Sequence, residues 1–358
     1  METKLSGAIS IQKTLSFRPR ISSAQLGFGK YFADHMFCLD YDNKSWQNPR
    51  IVPYGSLSME PGASVFHYGQ ALFEGMKAFR NRQGEIQLFR PEFHARRMAQ
   101  GAQRLCMPSV PESAFIEYIR ELVRFDADWV PEEKDCALYL RPTLIGTESF
   151  LGVRPSEKYL FFIITSPVGP YYSEGFAPVK IWIEENTVRA SAGGLGATKA
   201  AANYAASLYA STQAKKKNYS QVLWLDAQER AYIEEVGTMN VFFVIGDEVI
   251  TPSLDGSILA GATRDSVIQI LRDWNIQVSE RRMSLRELGE AHKSGQLREI
   301  FGTGTAAVIS PVGELSNERM QFVINNGQPG PLTLKLHKEL SSIQNGTLPD
   351  RHNWICKI

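Results

Sequence analysis

The sequence has 358 residues, enough for about two domains, and its 43% apolar and 22% charged residues exclude an intrinsically disordered chain. Its 39 Lys and Arg residues balance 38 Asp and Glu residues, and the formal net charge of +1 gives no overall attraction to nucleic acid or an anionic membrane. The four cysteines and six histidines form no metal-ligand pattern, and the longest apolar runs are strand-sized, far below the ~20 residues of a membrane helix. We therefore expect a cytoplasmic protein that acts on small molecules and binds no metal, nucleic acid or membrane.

Strand and helix patterns alternate in the first half of the chain. A strand-like run at 87–90 leads into a helix over 91–105 with apolar residues at helical spacing. The segment Ser109-Val-Pro-Glu112 has the form of a capping box and predicts the start of a second helix. Runs rich in β-branched and aromatic residues at 136–145 and 158–165 predict two further strands. The first domain is therefore expected to mix helices and strands.

A Pro/Gly/Tyr-rich segment predicts an interdomain linker at 171–178, which divides an N-terminal domain, 1–170, from a C-terminal domain, 179–358. The same patterns predict later strands at 179–184, 221–226, 231–236 and 240–245, and later helices at 199–216, 263–274, 284–292 and 331–343. Because these elements lack the regular spacing of a doubly wound sheet, the predicted fold class is α+β.

The most unusual local pattern is Ser191-Ala-Gly-Gly-Leu-Gly-Ala-Thr-Lys199, in which three glycines precede a lysine at the start of a predicted helix. A dinucleotide-binding fingerprint needs a further glycine at the position of Lys199, and a P-loop needs Gly-Lys-Ser/Thr, so the pattern satisfies neither motif. Most lysines are solvated surface residues, so only its context can assign a function to Lys199.

Seven segments provide that context, because they match one family in the order in which the family carries them. The segments are Phe28-Gly-Lys30, Leu72-Phe-Glu-Gly-Met-Lys-Ala-Phe79, Leu88-Phe-Arg-Pro91, Leu138-Tyr-Leu-Arg-Pro142, Thr198-Lys-Ala-Ala-Ala-Asn-Tyr204, Glu235-Val-Gly-Thr-Met-Asn240 and Gly302-Thr-Gly-Thr-Ala306. Together they resemble the branched-chain amino acid aminotransferases, the pyridoxal 5'-phosphate (PLP) enzymes of fold type IV. The resemblance implies a two-domain, D-amino acid aminotransferase-like fold with a smaller N-terminal α/β domain and a larger C-terminal domain. It also implies PLP as cofactor and a homodimer with composite active sites.

The resemblance assigns the catalytic role to Lys199, and PLP chemistry suits a lysine. It needs an amine that bonds to the cofactor aldehyde, is displaced by the substrate amine and then carries a proton. A carboxylate must also stabilise the charged form of the ring nitrogen, and both Glu234 and Glu235 are of the right type. Neighbours on a strand point to opposite faces, so at most one of them reaches the ring. The family motif selects Glu235, and Glu234 is expected to be solvated.

Further cofactor contacts follow from the resemblance. Arg90 corresponds to the family's phosphate arginine, and its planar guanidinium suits an oxyanion. The N–H groups at the start of a helix also bind anions, and the resemblance places phosphate contacts at Ala262, Thr263 and Thr305. It assigns Tyr204 to a hydrogen bond with the phenolic oxygen of PLP, although a core tyrosine is the alternative.

The resemblance also implies a substrate pocket with aromatic walls. The residues that correspond to it are Phe28, Tyr68, Phe73, Tyr139, Arg141, Leu151, Val153, Tyr171, Thr305 and Ala306. Leu151-Gly-Val153 resembles the loop that a partner subunit lends to the site, and Tyr171 lies in the predicted linker. Because Arg141 lies two residues from Tyr139 on one strand face, we expect it to bind the side-chain carboxylate of glutamate; a structural salt bridge is the alternative.

The sequence therefore predicts a branched-chain amino acid transaminase. It would transfer an amino group reversibly between L-leucine, L-isoleucine or L-valine and 2-oxoglutarate, giving the branched-chain 2-oxo acid and L-glutamate. One alternative is another fold type IV enzyme, such as a D-amino acid or (R)-amine transaminase or an aminodeoxychorismate lyase, which the profile of amino donors would separate. The other is a non-enzymatic binding protein with the same fold, which the absorbance of bound PLP would separate.

Overall fold

The structure is a computed structural model that describes residues 7–133, 135–169 and 176–358. The chain divides into two compact units. Their bounds are Met1–Ser173, Thr198–Ala201 and Ser342–Ile358 for unit 1, and Glu174–Ala197 and Ala202–Ser341 for unit 2. Two short segments from the second half of the chain thus belong to unit 1. Unit 1 also holds more residues than unit 2, the reverse of the size order that the resemblance implied.

Unit 1 is built on one sheet. In its described residues the strands are β1 (Ser10–Ile11), β2 (His35–Asp42), β3 (Ser45–Pro53), β4 (Ala71–Phe73), β5 (Met76–Arg80), β6 (Ile86–Phe89), β7 (Ala137–Gly146), β8 (Tyr159–Val168) and β18 (Ile355–Lys357). They lie in the order β1-β3-β2-β8-β7-β5-β6-β18, and β4 pairs with β7. The β1–β3 pair is parallel and the other pairs are antiparallel.

Two of the helices of unit 1 pack on one face of that sheet. The α-helices are α1 (Ser64–Tyr68), α2 (Pro91–Arg104) and α3 (Glu112–Phe125), and 3-10 turns lie at Ser23–Gln25 and Ala127–Trp129. Met98 of α2 and Phe115 of α3 are buried in one core cluster with Leu138 and Leu140 of β7. Each fully buried side chain of this kind contributes ~1.5–3 kcal/mol. Because side chains alternate along a strand, Tyr139 and Arg141 of β7 point to the opposite face.

Unit 2 contains a second sheet. Its described strands are β9 (Val179–Glu184), β10 (Gln221–Leu225), β11 (Ile233–Val236), β12 (Met239–Ile245), β13 (Glu248–Thr251), β14 (Gln277–Glu280), β15 (Leu297–Gly304), β16 (Val308–Ser316) and β17 (Gln321–Val323). They lie in the order β11-β10-β9-β16-β15-β12-β13-β14, with β17 beside β16. Since β11 also pairs with β12, part of the sheet closes into a ring, which runs β11-β10-β9-β16-β15-β12 and back to β11. The other elements are α4 (Ala201–Lys216), α5 (Ala262–Asp273), α6 (Leu285–Lys293), α7 (Pro331–Gln344) and a 3-10 turn at Asn325–Gly327.

The sequence patterns locate most of these elements to within a few residues, but the predicted capping box is wrong. Helix α3 begins at Glu112, and its N-cap is Pro111, which makes no side-chain hydrogen bond. The Ser109 hydroxyl instead donates to the carbonyl of Ala99 at 3.4 Å. The predicted linker lies partly outside the described residues. Within the described ranges, no helix has both the length and the apolar character needed to span a bilayer.

Candidate active site

One face of β7 carries an aromatic and cationic cluster. Tyr139, which is 8% exposed, packs edge-on against Phe28 with ring centroids 4.9 Å apart. The Arg141 guanidinium carbon lies 4.6 Å from the centroid of the Phe73 ring, and Nη2 of Arg141 donates to the Tyr139 hydroxyl at 3.1 Å. The buried Nε of Arg141 has no hydrogen-bond partner among the described residues. A half-buried guanidinium whose buried Nε is an unused donor fits an anionic ligand.

Two residues of the Leu72–Phe79 motif complete this cluster. A Cβ atom built on Gly75 would lie 1.9 Å from the Tyr139 hydroxyl oxygen, so only glycine leaves room for the ring. Lys77 pairs with Tyr139 across β5 and β7 and is 8% exposed. Burial lowers the pKa of Lys77 to about 8, although the thiol of Cys136 opposes the shift. The sequence patterns assigned a role to neither Gly75 nor Lys77.

Lys199 lies beside one of the same aromatic rings. It belongs to the short segment Thr198–Ala201 of unit 1, where the Phe73 N–H donates to the Lys199 carbonyl at 3.2 Å and Leu72 forms an antiparallel bridge with Ala200. The Nζ of Lys199 is 4.9 Å from the centroid of the Phe73 ring. The lysine amine and the Arg141 guanidinium therefore both contact Phe73, as expected of residues in one site.

A buried ionic network joins the β4–β5 connection to α2. Glu74, which is 0% exposed, binds Nε of Arg97 at 2.6 Å and Nδ1 of His94 at 2.8 Å. Burial by itself raises the pKa of the Glu74 carboxyl, but Arg97 and His94 together lower it far below its usual range. Burial lowers the pKa of His94, and the charges of Arg97 and Lys199 lower it further against the effect of Glu74. The sequence patterns did not identify this network.

Arg90, the predicted phosphate ligand, is held by the segment that precedes β18. It is the N-cap of α2 in the left-handed region, with φ 53°. Its N–H donates to the Trp354 carbonyl at 2.6 Å. Its guanidinium carbon lies 4.9 Å from the Phe93 ring centroid and 5.1 Å from that of Trp354. Residues far apart in the sequence thus determine the position of Arg90.

The loop predicted to serve a partner subunit is exposed. Leu151 is 65% exposed and Val153 is 86% exposed. Tyr68, at the end of α1, donates its hydroxyl to the Leu151 carbonyl. Neighbouring apolar side chains on a surface loop are typical of an interface with another chain. Tyr171, a further predicted substrate residue, lies outside the described residues.

In unit 2, donors from three parts of the chain hold the Glu235 carboxylate. Glu235 is 4% exposed on β11. Its Oε2 forms an ion pair with Nε of Arg189 at 2.7 Å. Its Oε1 accepts from Nδ2 of Asn240 at 3.2 Å and from the Leu259 N–H at 3.3 Å. Asn240 ends a quoted family segment, but its role was not predicted. Arg189 lies after β9 and outside the seven family segments, so the sequence did not predict a role for it.

The expectation that Glu234 is solvated is wrong, because its side chain is buried and only 5% of the residue is exposed. The strand β11 has neighbours on both edges, and the Ser257 hydroxyl donates to Oε1 of Glu234. Burial raises the pKa of Glu234, while Ser257 and Arg189 oppose the shift. Two consecutive glutamates of opposite orientation are therefore both buried, with different partners.

The remaining predicted cofactor residues lie in unit 2. Ala262 and Thr263 are buried in the first turn of α5, behind the N-cap Gly261, which has no side chain to accept from the first-turn N–H groups. The start of this helix favours an anion. Tyr204 on α4 and Thr305 in the turn between β15 and β16 are half-buried, and so is Ala306 in the same turn, a predicted substrate residue.

Comparison with known proteins shows which of them this chain is similar to. Residues 71–315 match the family Amino-transferase class IV. Over 351 residues the chain is 49% identical to the branched-chain-amino-acid aminotransferase 2 of Bacillus subtilis (strain 168), covering 98% of this chain and 97% of that protein. Over 352 residues it is 48% identical to a probable branched-chain-amino-acid aminotransferase of Staphylococcus aureus (strain N315), covering 98% of each.

Solved structures agree with these relatives. A branched-chain amino acid aminotransferase complexed with N-(5'-phosphopyridoxyl)-L-glutamate has a TM-score of 0.69 and 26% identity, covering 89% of this chain and 97% of that chain. The branched-chain amino acid aminotransferase of Escherichia coli has a TM-score of 0.73 and covers 90% of this chain and 98% of that chain. At 24% identity, the latter shows the fold alone.

The chain is therefore a class IV aminotransferase, an enzyme that transfers amino groups, and it has the predicted fold. Within that class it belongs to the branched-chain amino acid aminotransferase family, as the seven sequence segments predicted. Class IV aminotransferases depend on PLP. The residues fit that group, because Glu235 is a buried carboxylate held by one ion pair and two hydrogen bonds, which suits a charged ring nitrogen.

Proposed function

We propose that this enzyme uses PLP to transfer an amino group between L-leucine, L-isoleucine or L-valine and 2-oxoglutarate. The observation that carries this proposal is the Phe73 ring, which lies 4.9 Å from the Lys199 amine and 4.6 Å from the Arg141 guanidinium. One of these cations suits amine chemistry and the other suits carboxylate recognition. The solved relative that is complexed with N-(5'-phosphopyridoxyl)-L-glutamate supports both the cofactor and glutamate as a substrate.

The residues that would hold PLP are Arg90, Lys199, Tyr204, Glu235, Ala262, Thr263 and Thr305. When bound, PLP supplies an aldehyde that condenses with amines and a ring that withdraws electrons. Glu235 would stabilise the positive charge of the ring nitrogen, because one ion pair and two hydrogen bonds keep its carboxylate in place. Arg90 and the start of α5 bind the phosphate. Lys199 carries a proton on Nζ during each half-reaction.

Unit 1 supplies most of the proposed substrate contacts, and Thr305 and Ala306 of unit 2 are also proposed contacts. Phe28, Phe73 and Tyr139 exclude water from a branched apolar side chain. Arg141 binds the side-chain carboxylate of glutamate or 2-oxoglutarate through its unused donor. When an apolar substrate is bound, the guanidinium keeps its contacts with the Phe73 ring and the Tyr139 hydroxyl, which limits the cost of its burial.

We also infer a cytoplasmic homodimer in which the loop Leu151–Val153 of one protomer completes the site of its partner. The exposure of Leu151 and Val153, at 65% and 86%, supports an interface there. Tyr171 stays a proposed substrate contact. Size-exclusion chromatography with light scattering would test the dimer, and a chain that stays monomeric while fully active would contradict it.

Absorbance spectra of the holoenzyme after separate addition of L-leucine, L-glutamate, D-alanine and an (R)-amine test the proposed function. We expect L-leucine and L-glutamate to change the visible band of the bound cofactor within a single turnover, and the other two to leave it unchanged. A change with D-alanine or the (R)-amine alone would favour another class IV enzyme. The Lys199→Ala variant should fold, by circular dichroism, yet lose both the visible band and multiple turnover.

A further inference from the structure

Arg189 is a buried cation of unit 2. It is 9% exposed, and Nη2 donates to the carbonyl of Gly196 at 3.3 Å and to that of Ser257. Its Nε forms the ion pair with Glu235 at 2.7 Å. Both carbonyls accept from Nη2 and hold that end of the guanidinium, while Nε makes the ion pair with Glu235 but no hydrogen bond among the described residues.

The glycine motif before Lys199 contributes to this arrangement. A Cβ atom built on Gly196 would lie 2.0 Å from the Ser257 carbonyl oxygen, so the two backbones approach as closely as only glycine permits. Arg189 spans this contact, because it binds the carbonyls of both residues. A purely structural role for Arg189, as a tie between two loops, is therefore the competing explanation.

The neighbouring Glu234 shows what happens without a dedicated cation. Burial favours the neutral form of a carboxylic acid. Glu234 receives a hydroxyl hydrogen bond from Ser257, and burial raises its pKa. Glu235 is equally buried, but a guanidinium and two N–H groups surround its carboxylate. The charge of Arg189 acts on both acids, but of the two only Glu235 forms an ion pair with it.

We propose that Arg189 is a positioning residue that keeps the Glu235 carboxylate ionised and fixed, so that Glu235 can stabilise a charged cofactor ring nitrogen. This inference rests on the proposed use of PLP. An opposite charge within ~4–6 Å favours an ionised carboxylate by about 10- to 1000-fold. Arg189 therefore affects the affinity of the protein for a ring that contains the nitrogen, and has little effect on a ring that lacks it.

The test compares two ligands on the full-length chain after removal of its cofactor. One is PLP, and the other is its analogue in which a C–H group replaces the ring nitrogen. Dissociation constants are measured by fluorescence for the wild type, Arg189→Gln, Glu235→Gln and the matched control Glu234→Gln. We expect Arg189→Gln and Glu235→Gln to weaken PLP binding at least about tenfold, and binding of the carbon analogue less than about threefold. Glu234→Gln should change neither constant by more than about threefold.

Equal weakening of both ligands by Arg189→Gln would overturn the proposal and leave Arg189 as a structural tie. If the wild type bound PLP no more tightly than the carbon analogue, the assigned role of Glu235 would be wrong, which is a separate failure. Arg189→Lys retains the charge and should keep part of the preference for PLP. It provides the same comparison if Arg189→Gln does not fold, as judged by circular dichroism.

Discussion

The consecutive residues Glu234 and Glu235 provide a matched pair for mutagenesis. We expect Glu235→Gln to lower kcat by about 10²-fold or more, because the amide cannot stabilise a charged ring nitrogen. Glu234→Gln should change kcat less than about threefold, because burial already raises the pKa of Glu234 and favours its neutral form, which the amide resembles in shape. Steady-state kinetics check both values. A larger loss for Glu234→Gln would place the ring partner on the other face of β11.

The proposed role of Arg141 can be tested by comparing the two kinds of substrate. We expect Arg141→Met to lower kcat/KM for the glutamate and 2-oxoglutarate half-reaction. The corresponding loss of transition-state binding free energy should be ~2 to 4 kcal/mol, which is typical of losing a charged hydrogen-bonded partner. The leucine half-reaction should change far less, because its side chain has no carboxylate. Single-turnover spectra of each half-reaction provide the measurement. Equal losses would show that Arg141 binds the carboxylate common to all substrates or supports the fold.

For single residues, the sequence predicted site residues that lie within the seven family segments, but it did not predict the buried residues that contact them. Lys199, Arg141 and Phe73 could be predicted because each belongs to one of the seven family segments, and in the structure Lys199 and Arg141 both lie beside the Phe73 ring. Arg189 could not, since an isolated arginine gives no signal of what it contacts. Glu234 was misjudged because alternation along a strand predicts opposite faces, but not that both faces of β11 are covered.

The ionic network of Glu74 links the β4–β5 connection to α2. The lowered pKa of Glu74 makes the stability of the protein depend on pH. The folded-state pKa of Glu74 lies below the unfolded value, so its stabilising effect is complete above pH ~4.3 and is lost as the pH falls below it. We expect Glu74→Gln to lower the free energy of unfolding by about 3–5 kcal/mol at pH 7, because it leaves the buried Arg97 without its carboxylate. The difference from the wild type should be constant from pH 7 to 5 and shrink in more acidic solution.

Urea denaturation at each pH measures this difference. Glu85→Gln is the control, because the Glu85 carboxylate pairs with Lys357 at the surface and exposed ion pairs contribute little to stability. Parallel stability curves for the wild type and Glu74→Gln down to pH 3.5 would show that the carboxylate of Glu74 does not stabilise unit 1 through its charge.

Helices and strands whose apolar residues repeat with a clear period could be predicted from the sequence, whereas the short strands β4 and β5 could not. The helix predicted over 91–105 is α2, Pro91–Arg104, because its apolar residues repeat at helical spacing. The strands β4 and β5 are too short to show alternation, and Gly75 between them is explained only by the nearby Tyr139 hydroxyl. The capping box failed because Pro111 itself is the N-cap of α3.

On the scale of the whole molecule, the composition of the predicted linker at 171–178 indicated two domains, but not the return of the chain to unit 1. The segment Ser342–Ile358 belongs to unit 1 because β18 pairs with β6. A strand of three residues carries no period that could predict its partner. The pairing of β18 depends instead on contacts with residues at the far end of the sequence.

Those contacts include Trp354, which gives a prediction for cofactor binding. Trp354 is 5% exposed, accepts from the Arg90 N–H and lies beside its guanidinium. We expect Trp354→Ala to destabilise the protein by about 3–5 kcal/mol and also to weaken PLP binding, because Arg90 loses its support. Trp129→Ala removes an equally large buried ring elsewhere in unit 1 and should destabilise without weakening PLP binding. Thermal unfolding and PLP titration separate the effects, and equal PLP affinity of both variants would contradict the link to Arg90.

The pairing of β18 with β6 also sets the earliest moment at which unit 1 can finish folding during synthesis. Gln87 of β6 donates to the carbonyl of Gln344, which lies 257 residues further along the chain. At ~5–20 residues per second, a ribosome needs roughly ten to fifty seconds to make that stretch. Throughout this interval β6 is an unpaired edge strand, which is prone to pair with other chains. The nascent enzyme is thus exposed to aggregation while unit 2 is translated, and a circular permutant that carries 342–358 ahead of β1 should shorten that exposure.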